Sequence, residues 1–162
     1  MVSQVETNPA DFSAFAPLHA LLSDAFAYMA AWIDPPSSMT RLTVDGVEDK
    51  ARTEDLFVVR EDGRPVACLF GTPTDDAYYI GKLAVTQSHR GQGLARALVE
   101  AAAARARDLN LHALELQSRV ELVENHATFA ALGFVEIGRT AHAGYDRPTS
   151  ITFRRPLPRG PA

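Results

Sequence analysis

The amino-acid sequence predicts one domain of the α/β class, built on a mixed sheet. Its 162 residues are enough for one compact core and leave little material for a second. The hydrophobic pattern is helical near the N-terminus, strand-like in the middle, and then alternates between helix and strand. Two helices that each join one strand to another predict right-handed crossovers. We expect the domain to span residues 1–155, and the proline-rich residues 156–162 to fray.

A short strand and two helices are predicted before residue 55. The strand covers residues 2–6, and apolar residues then recur at spacings of three and four from Leu18 to Trp32, which predicts one buried helix face. We expect this helix to end near Ile33, because the prolines at positions 35 and 36 disfavour helical geometry before them. Thr43 is expected to cap a second, weaker helix.

The rest of the chain predicts a hairpin followed by alternating helices and strands. Segments 56–60 and 65–70 are strand-like, and Asp62-Gly63 between them tolerates the positive φ of a tight turn, so they predict an antiparallel hairpin. A third strand covers residues 77–85, and a long helix covers 91–108. A strand at 111–117, a helix at 125–132 ended by Gly133, and strands at 134–138 and 150–153 complete the order.

Composition and charge exclude several classes of protein. The formal net charge is −4, with 16 basic and 20 acidic residues interspersed, so no broad cationic face for nucleic acid is expected. No apolar stretch approaches the roughly 18 residues of a membrane span, and the N-terminus lacks a secretory signal pattern, so we expect a cytoplasmic protein without a membrane partner. Cys68 is the only cysteine, and the histidines lack metal-ligand spacing, so neither a disulfide nor a metal site is expected.

The most informative segment joins a strand to the long helix through Arg90-Gly91-Gln92-Gly93. The first turn of a helix presents unpaired N–H groups and the positive end of its dipole, and glycine lets the backbone approach a ligand. Together with the charge of Arg90, these features predict an anion site. An ordinary strand-to-helix turn is the alternative, because Gly-x-Gly alone is weak evidence. The segment lacks the Gly-Lys-Ser/Thr of a phosphate loop and the third glycine of a dinucleotide fingerprint.

This segment resembles the acyl-coenzyme A loop of the GNAT N-acetyltransferases. The pattern Arg/Gln-x-x-Gly-x-Gly/Ala of that family is met by Arg90, Gly93 and Ala95. Residues 80–85 resemble the family's fourth strand, and residues 125–134 resemble its later helix with the Gly-Phe that ends it. Element order and separation also match, so the resemblance covers nearly the whole chain.

The resemblance implies the GNAT acyl-CoA N-acyltransferase fold, a mostly antiparallel twisted sheet flanked by helices, with acetyl-coenzyme A wedged between two splayed strands. It implies direct attack of the primary amine of a small molecule on the thioester, without an acyl-enzyme. A homodimer is left open. The cofactor-binding residues that the resemblance implies are Leu83, Ala84, Val85, Arg90, Gly91, Gln92, Gly93, Leu94, Ala95, Asn125 and Phe129.

Phe129 departs from the family pattern, because many members carry at this position a tyrosine that protonates the leaving thiolate. A phenyl ring cannot donate that proton. Either water or another tyrosine does so, or the thiolate leaves unassisted, which the acidity of a thiol allows near neutral pH. The alternative function is an acyl-coenzyme A sensor with little or no catalysis.

Three residues are candidates for catalysis. Tyr79 lies on the strand where some members carry a glutamate base, but an ordinary tyrosine is a poor base at neutral pH, so orienting water or packing is favoured. Glu115, on the next strand, is either a proton relay or a solvated residue. His142 is the best titratable candidate. The candidate substrate residues are Asp34, Arg119, Glu124, Tyr145 and Arg147. The alternative roles are a turn residue at the end of a helix for Asp34, surface charge or helix capping for Arg119 and Glu124, and fixing the loop through the Asp146/Arg147 pair.

Overall fold

A twisted sheet with helices on both faces forms the computed structural model, which describes residues 4–27 and 29–158. The strands are β1 (Val5–Thr7), β2 (Asp55–Glu61), β3 (Arg64–Pro73), β4 (Tyr78–Val85), β5 (Ala113–Arg119), β6 (Val135–Thr140) and β7 (Ser150–Pro156). The α-helices are α1 (Phe15–Ala27), α2 (Val44–Thr53), α3 (Leu94–Asp108) and α4 (Val123–Ala131). Short 3-10 helices lie at Ser38–Arg41 and Gln87–His89.

The strands follow the order β1-β2-β3-β4-β5-β7-β6. Every neighbouring pair is antiparallel except β4 and β5, which are parallel. Helix α3 therefore makes one crossover, from β4 to β5. Helix α4 makes the other, from β5 to β6, and β7 inserts between the two strands it joins. The mixed, mostly antiparallel α/β sheet predicted from the sequence is confirmed.

The two faces of the sheet carry separate apolar cores. Helix α3 packs on one face, where Leu98, Val99 and Ala102 are fully buried. Helices α1 and α2 cover the other face, where Leu22 and Val47 are fully buried. Burying a side chain of this size contributes about 1.5–3 kcal/mol, so each helix is held to the sheet mainly by its apolar face.

The prediction that α1 reaches Ile33 with Trp32 on its buried face is wrong. The helix begins at Phe15 and ends at Ala27, and residues 29–32 form tighter turns in which Trp32 N–H donates to the carbonyl of Met29 at 2.9 Å. Trp32 is 70% exposed. Long-range hydrogen bonds hold the chain just beyond these turns, and a helical repeat carries no information about such contacts.

Both ends of the sheet differ from the predicted bounds. Strand β1 begins at Val5, and residues 2 and 3 of the predicted strand lie outside the described residues. Strand β7 continues to Pro156, which pairs with Ala113. Leu157 is buried, and its N–H donates to the carbonyl of His112 at 2.8 Å. The chain is therefore packed beyond residue 155, against the expectation that it frays there; residues 159–162 lie outside the described residues.

Candidate active site

Strands β4 and β5 split apart and open a cavity between them. The two strands pair only at Tyr78 with Leu114 and at Tyr79 with Glu115. Beyond these pairs, β5 stays with β7 and β4 stays with β3. A cavity of about 1160 Å³ opens at the split, lined on β4 by residues 79–85 and on β5 by residues 116–119. The edge of β4 that faces this cavity can therefore offer its backbone groups to an extended ligand.

A β-bulge turns the backbone of β4 where it lines the cavity. The register with β3 shifts between Cys68 and Phe70, opposite Lys82, which has a φ of 56°. The Cys68 thiol donates to the carbonyl of Lys82 at 3.6 Å. Bulges bend a strand and redirect its side chains, and they are common beside functional sites. Because of this bulge, the side chains of residues 82–85 do not continue the alternation between the two faces of the sheet that a regular strand predicts.

One end of the cavity is the glycine-containing turn before α3. Gly91 and Gly93 both have φ of 79°, and an added Cβ at either position would meet nothing within 4 Å. Gly93 caps α3 without a side-chain hydrogen bond. The first N–H groups of α3 lack intrahelical acceptors, so they face the turn as donors for an anion. Nearby, His89 Nε2 lies 2.7 Å from Glu61 Oε2, which ties the turn to the β2–β3 hairpin.

Ten of the eleven predicted cofactor residues line the cavity; the exception is the exposed Gln92. Asn125 Nδ2 lies 3.9 Å from the sulfur of Met29, so it spans from α4 toward the segment after α1. The ring of Phe129 packs against Phe134 and Phe153, with centroid separations of 6.2 and 5.8 Å. Phe129 therefore packs in the apolar core and also forms part of the cavity wall.

The predicted catalytic residues occupy different positions. Tyr79 and His142 line the cavity. The ring of His142 contacts the hydroxyl of Thr149, and its backbone N–H donates to the same hydroxyl at 2.9 Å. Glu115 lies beside Tyr79 in register, but it is not among the described residues that line the cavity. Burial and the charge of Glu115 raise the pKa of Tyr79 above its ordinary value, so this phenol is a poorer base than an exposed tyrosine.

Most of the predicted substrate residues fasten a loop. Tyr145 donates to Asp34 Oδ1 at 2.6 Å, and Arg147 Nη2 lies 3.3 Å from Asp34 Oδ2. Arg119 donates to the carbonyls of Pro35 and Pro36 at 2.8 and 3.2 Å. Of the predicted five, only Arg119 and Glu124 also line the cavity. These contacts favour the alternative role of fixing the loop for Arg147, although its partner is Asp34 and not Asp146 as predicted.

The other end of the cavity is lined by residues that the sequence pattern did not predict. Apolar side chains of Phe26, Met29 and Ile33 line it, together with Lys50 and Lys82. The missed signal is in the composition: of the 16 Lys and Arg residues in the chain, only these two are lysines. Their meeting could not be read from the sequence, because one lies on α2 and the other on the bulge of β4.

The two lysines interact with one carboxylate and with each other. Lys50 Nζ lies 2.6 Å from Glu54 Oε2 and 5.4 Å from the ring centre of Phe70. Lys82 Nζ lies 5.9 Å from the ring centre of Phe26. Burial, and then the charge of Lys50, lower the pKa of Lys82 below its ordinary value, and Glu54 only partly opposes them. Two cationic side chains therefore lie close together at this end of the cavity.

No helix within residues 4–27 and 29–158 is long and apolar enough to cross a membrane. Within the same residues, no group of three or more His, Cys, Asp or Glu side chains is placed to hold a metal ion.

Residues 16–134 match the model of the Acetyltransferase (GNAT) family. Solved structures with the same fold include an acyl-CoA N-acyltransferase from Klebsiella pneumoniae, which is 22% identical, with a TM-score of 0.67 over 96% of this chain and 98% of that one. An acetyltransferase from Salmonella typhimurium, solved with its cofactor acetyl-CoA, is 17% identical, with a TM-score of 0.67 over 100% and 98%. The ribosomal-protein-S18-alanine N-acetyltransferase of Escherichia coli is 18% identical, with a TM-score of 0.64 over 96% and 94%.

Proposed function

Because this chain belongs to the GNAT acetyltransferase family, we propose that it transfers the acetyl group of acetyl-coenzyme A to the primary amine of a small molecule in the cytoplasm. The amine attacks directly, without an acyl-enzyme. The observation that carries this proposal is the cavity at the β4–β5 split. It extends from the turn before α3 to a region beside α1 and α2, here called the chamber, which is lined by Phe26, Met29, Ile33, Lys50 and Lys82. When bound, acetyl-coenzyme A supplies an activated acetyl thioester.

The residues at the turn fit the anionic part of this cofactor. Gly91 and Gly93 leave open the space that side chains would fill, and Arg90 lines the same end of the cavity. The first-turn N–H groups of α3 can bind pyrophosphate oxygens, with the helix dipole adding to the attraction. The open edge of β4 at Leu83 to Val85 can hold the pantetheine arm through backbone hydrogen bonds.

Backbone and electrostatics supply the chemistry in this proposal. With acetyl-coenzyme A bound, an N–H of β4 near residues 83–85 would stabilise negative charge on the thioester oxygen by donating a hydrogen bond to it. The positive charges of Lys50 and Lys82 disfavour the ammonium form of an amine nearby, so more of the acceptor is neutral and nucleophilic. The same potential favours departure of the thiolate, which Phe129 cannot protonate.

His142 is the proposed proton acceptor among the lining residues. Histidine side chains exchange protons near neutral pH, and the contact of this ring with Thr149 fixes its orientation at the cavity wall. Tyr79 is proposed to orient the acceptor or a water, because its raised pKa makes it unsuitable as a base.

The test combines binding with turnover. Calorimetry should show acetyl-coenzyme A binding, and a panel of primary amines should release free thiol in stoichiometric amounts with N-acetylated product. His142→Gln should lower kcat for a substrate amine by a factor of 10²–10⁴, the usual range for loss of a general base. Absence of binding overturns the proposal, and so does binding without transfer to any amine.

A second candidate function, an acyl-coenzyme A sensor, is favoured by Phe129, whose ring packs on Phe134 and Phe153. It predicts tight acetyl-coenzyme A binding without thiol release for any amine tested. Phe129→Tyr tests whether an active enzyme needs an acid for the leaving thiolate. If the thiolate leaves unassisted, the substitution should change kcat less than about threefold above pH 8, because thiols ionise there.

A further inference from the structure

The end of α1 and the loop after it form one wall of the cavity, and the described part of this wall is apolar. From position 25 to position 36, the described lining residues are Ala25, Phe26, Met29, Ile33, Pro35 and Pro36, here called the apolar wall. The carboxylate of Asp34, in the same segment, binds Tyr145 and Arg147, and Asp34 is not among the described lining residues. Within the described residues, this segment therefore presents no charged group to the cavity.

The apolar wall combines buried with accessible side chains. Met29 and Ile33 are 5% and 9% exposed, and among the described residues they belong to neither of the clusters that cover the two faces of the sheet. Phe26 and Pro35 are partly exposed. Because all four line the cavity, a molecule bound there would cover apolar surface that folding has not removed from water.

Side chains from another segment hold the apolar wall in place. Arg119 of β5 donates to the carbonyls of Pro35 and Pro36 at 2.8 and 3.2 Å. The backbone N–H of Asp34 donates to Glu121 Oε2 at 3.0 Å. A surface that is already fixed needs little ordering when a ligand binds, so more of the contact energy appears as affinity.

The charged side chains of the lining lie on other elements; among the described residues they are Arg41, Lys50, Lys82, Arg90, Arg119 and Glu124. Lys50 is bound to the carboxylate of Glu54 at 2.6 Å, and Arg119 is bound to the two proline carbonyls. Arg41 and Glu124 are exposed residues of opposite charge. An apolar group placed on the wall gains affinity, whereas a charged group placed there loses hydration without finding a partner on the wall.

We infer that the acceptor is a primary amine with an apolar body, an alkyl or arylalkyl chain that contacts the apolar wall. This inference rests on the proposed function and names its substrate class. Each methylene group that the wall removes from water should improve binding about fourfold.

The primary experiment measures kcat/KM for the n-alkylamines from ethylamine to hexylamine, whose amino groups have nearly the same basicity. We expect kcat/KM to rise about fourfold per methylene group. Hexylamine should also be favoured about tenfold or more over 1,5-diaminopentane and 5-aminopentanoate, in which a charged group replaces the end of the chain. Equal use of all the alkylamines overturns the inference while the proposed function stands, and so does a preference for either charged amine.

Ile33→Thr places a hydroxyl in the apolar wall and should reduce the gain from ethylamine to hexylamine about fivefold or more, whereas Ile33→Val should keep most of it. Ile137→Thr is the matched control, because this isoleucine of β6 is 51% exposed and is not among the described lining residues. It should leave the gain unchanged. A gain that Ile33→Thr does not alter overturns the inference. If Ile33→Thr weakens acetyl-coenzyme A binding as much as amine binding, the wall contacts the cofactor, which also overturns it.

An equilibrium measurement decides the matter if no amine is acetylated, a result that would overturn the proposed function alone. N-alkylacetamides from N-ethylacetamide to N-hexylacetamide are added to the coenzyme A-loaded protein in a calorimeter. Their affinity should rise about fourfold per methylene group, and the heat-capacity change of binding should become more negative as the chain lengthens. Absence of binding, or an affinity that does not depend on chain length, overturns the inference.

Discussion

Among single residues, the partly buried carboxylate of Asp55 ties together β2, β4 and α3. Tyr78 donates to this carboxylate at 2.5 Å, Asn8 donates at 2.7 Å, and Arg105 Nε donates at 3.1 Å. Burial alone would raise the pKa of Asp55, but these hydrogen bonds outweigh it and hold the pKa below the ordinary value of 3.8. The ionised form therefore stabilises the folded protein.

Asp55→Asn should lower the free energy of unfolding by about 2 kcal/mol at pH 7, because the charged acceptor of three hydrogen bonds is lost. A carboxyl with a depressed pKa stabilises the fold above its unfolded pKa and loses this effect as pH falls through the folded pKa. Urea denaturation should therefore show the difference between the two proteins shrinking below about pH 4.

Asp76→Asn is the control for this change, because Asp76 pairs with Arg154 at 3.1 Å but its side chain is 71% exposed. It should alter the free energy of unfolding by less than about 0.5 kcal/mol. A difference for Asp55→Asn that stays constant from pH 7 to pH 3 would show that ionisation of this carboxyl does not stabilise the fold.

At the scale of elements, the turn into α3 has a matched counterpart elsewhere in the chain. Gly93 precedes α3, and Gly63 lies in the β2–β3 turn; both have φ of 79° and open space at the Cβ position. Replacing either by alanine imposes the same left-handed strain, about 1–2 kcal/mol. Stability and cofactor binding can therefore be separated by comparing the two variants.

Gly63→Ala and Gly93→Ala should lower the melting temperature by similar amounts. Only Gly93→Ala should weaken acetyl-coenzyme A binding, by tenfold or more, because its methyl group enters the space through which a ligand reaches the helix N-terminus. Thermal denaturation and calorimetry measure the two effects. If the two variants have equal dissociation constants for acetyl-coenzyme A, the turn before α3 is not part of the cofactor site.

The loop after α1 is positioned by β5 through Arg119, whose guanidinium binds the carbonyls of Pro35 and Pro36. Arg119→Ala should raise KM for the amine about tenfold, since two charge-assisted hydrogen bonds that place the chamber wall are lost. The dissociation constant of acetyl-coenzyme A should change less than about twofold, because the turn before α3 is untouched.

Arg139→Ala provides the comparison for Arg119→Ala. Arg139 pairs with Glu136 within β6 at 3.0 Å, and both side chains are about half exposed. Its removal should leave both constants unchanged. If Arg119→Ala weakens cofactor binding as much as amine binding, the loop contributes to the binding of both ligands. The chamber is then not a site separate from the cofactor site.

At the scale of the whole molecule, Cys68 reports on global unfolding. It is fully buried in β3, and burial raises the pKa of its thiol to about 12. Alkylation by N-ethylmaleimide, followed by intact mass, should therefore require unfolding. Acetyl-coenzyme A at 100 times its dissociation constant should slow alkylation about 100-fold, because a ligand of the native state stabilises it by about 2.7 kcal/mol.

If Cys68 is alkylated quickly, and at the same rate with and without acetyl-coenzyme A, the sheet opens locally beside the β4 bulge. A Cys68→Ala protein, which should show no mass increase, controls for modification at other side chains. The expected result would place the cavity within the same cooperative unit as the two cores that flank the sheet.

Features that depend on neighbours along the chain could be predicted from the amino-acid sequence. The hairpin at Asp62-Gly63, the glycine-containing turn before α3 and the helix after Gly93 all follow from local periodicity and backbone preference. Only the folded structure shows where α1 ends, that Asp34 pairs with Arg147, and that β7 lies between β5 and β6. It also shows that Lys50 of α2 and Lys82 of β4 line the same cavity. These features depend on pairings between distant segments, whose energies no local pattern encodes.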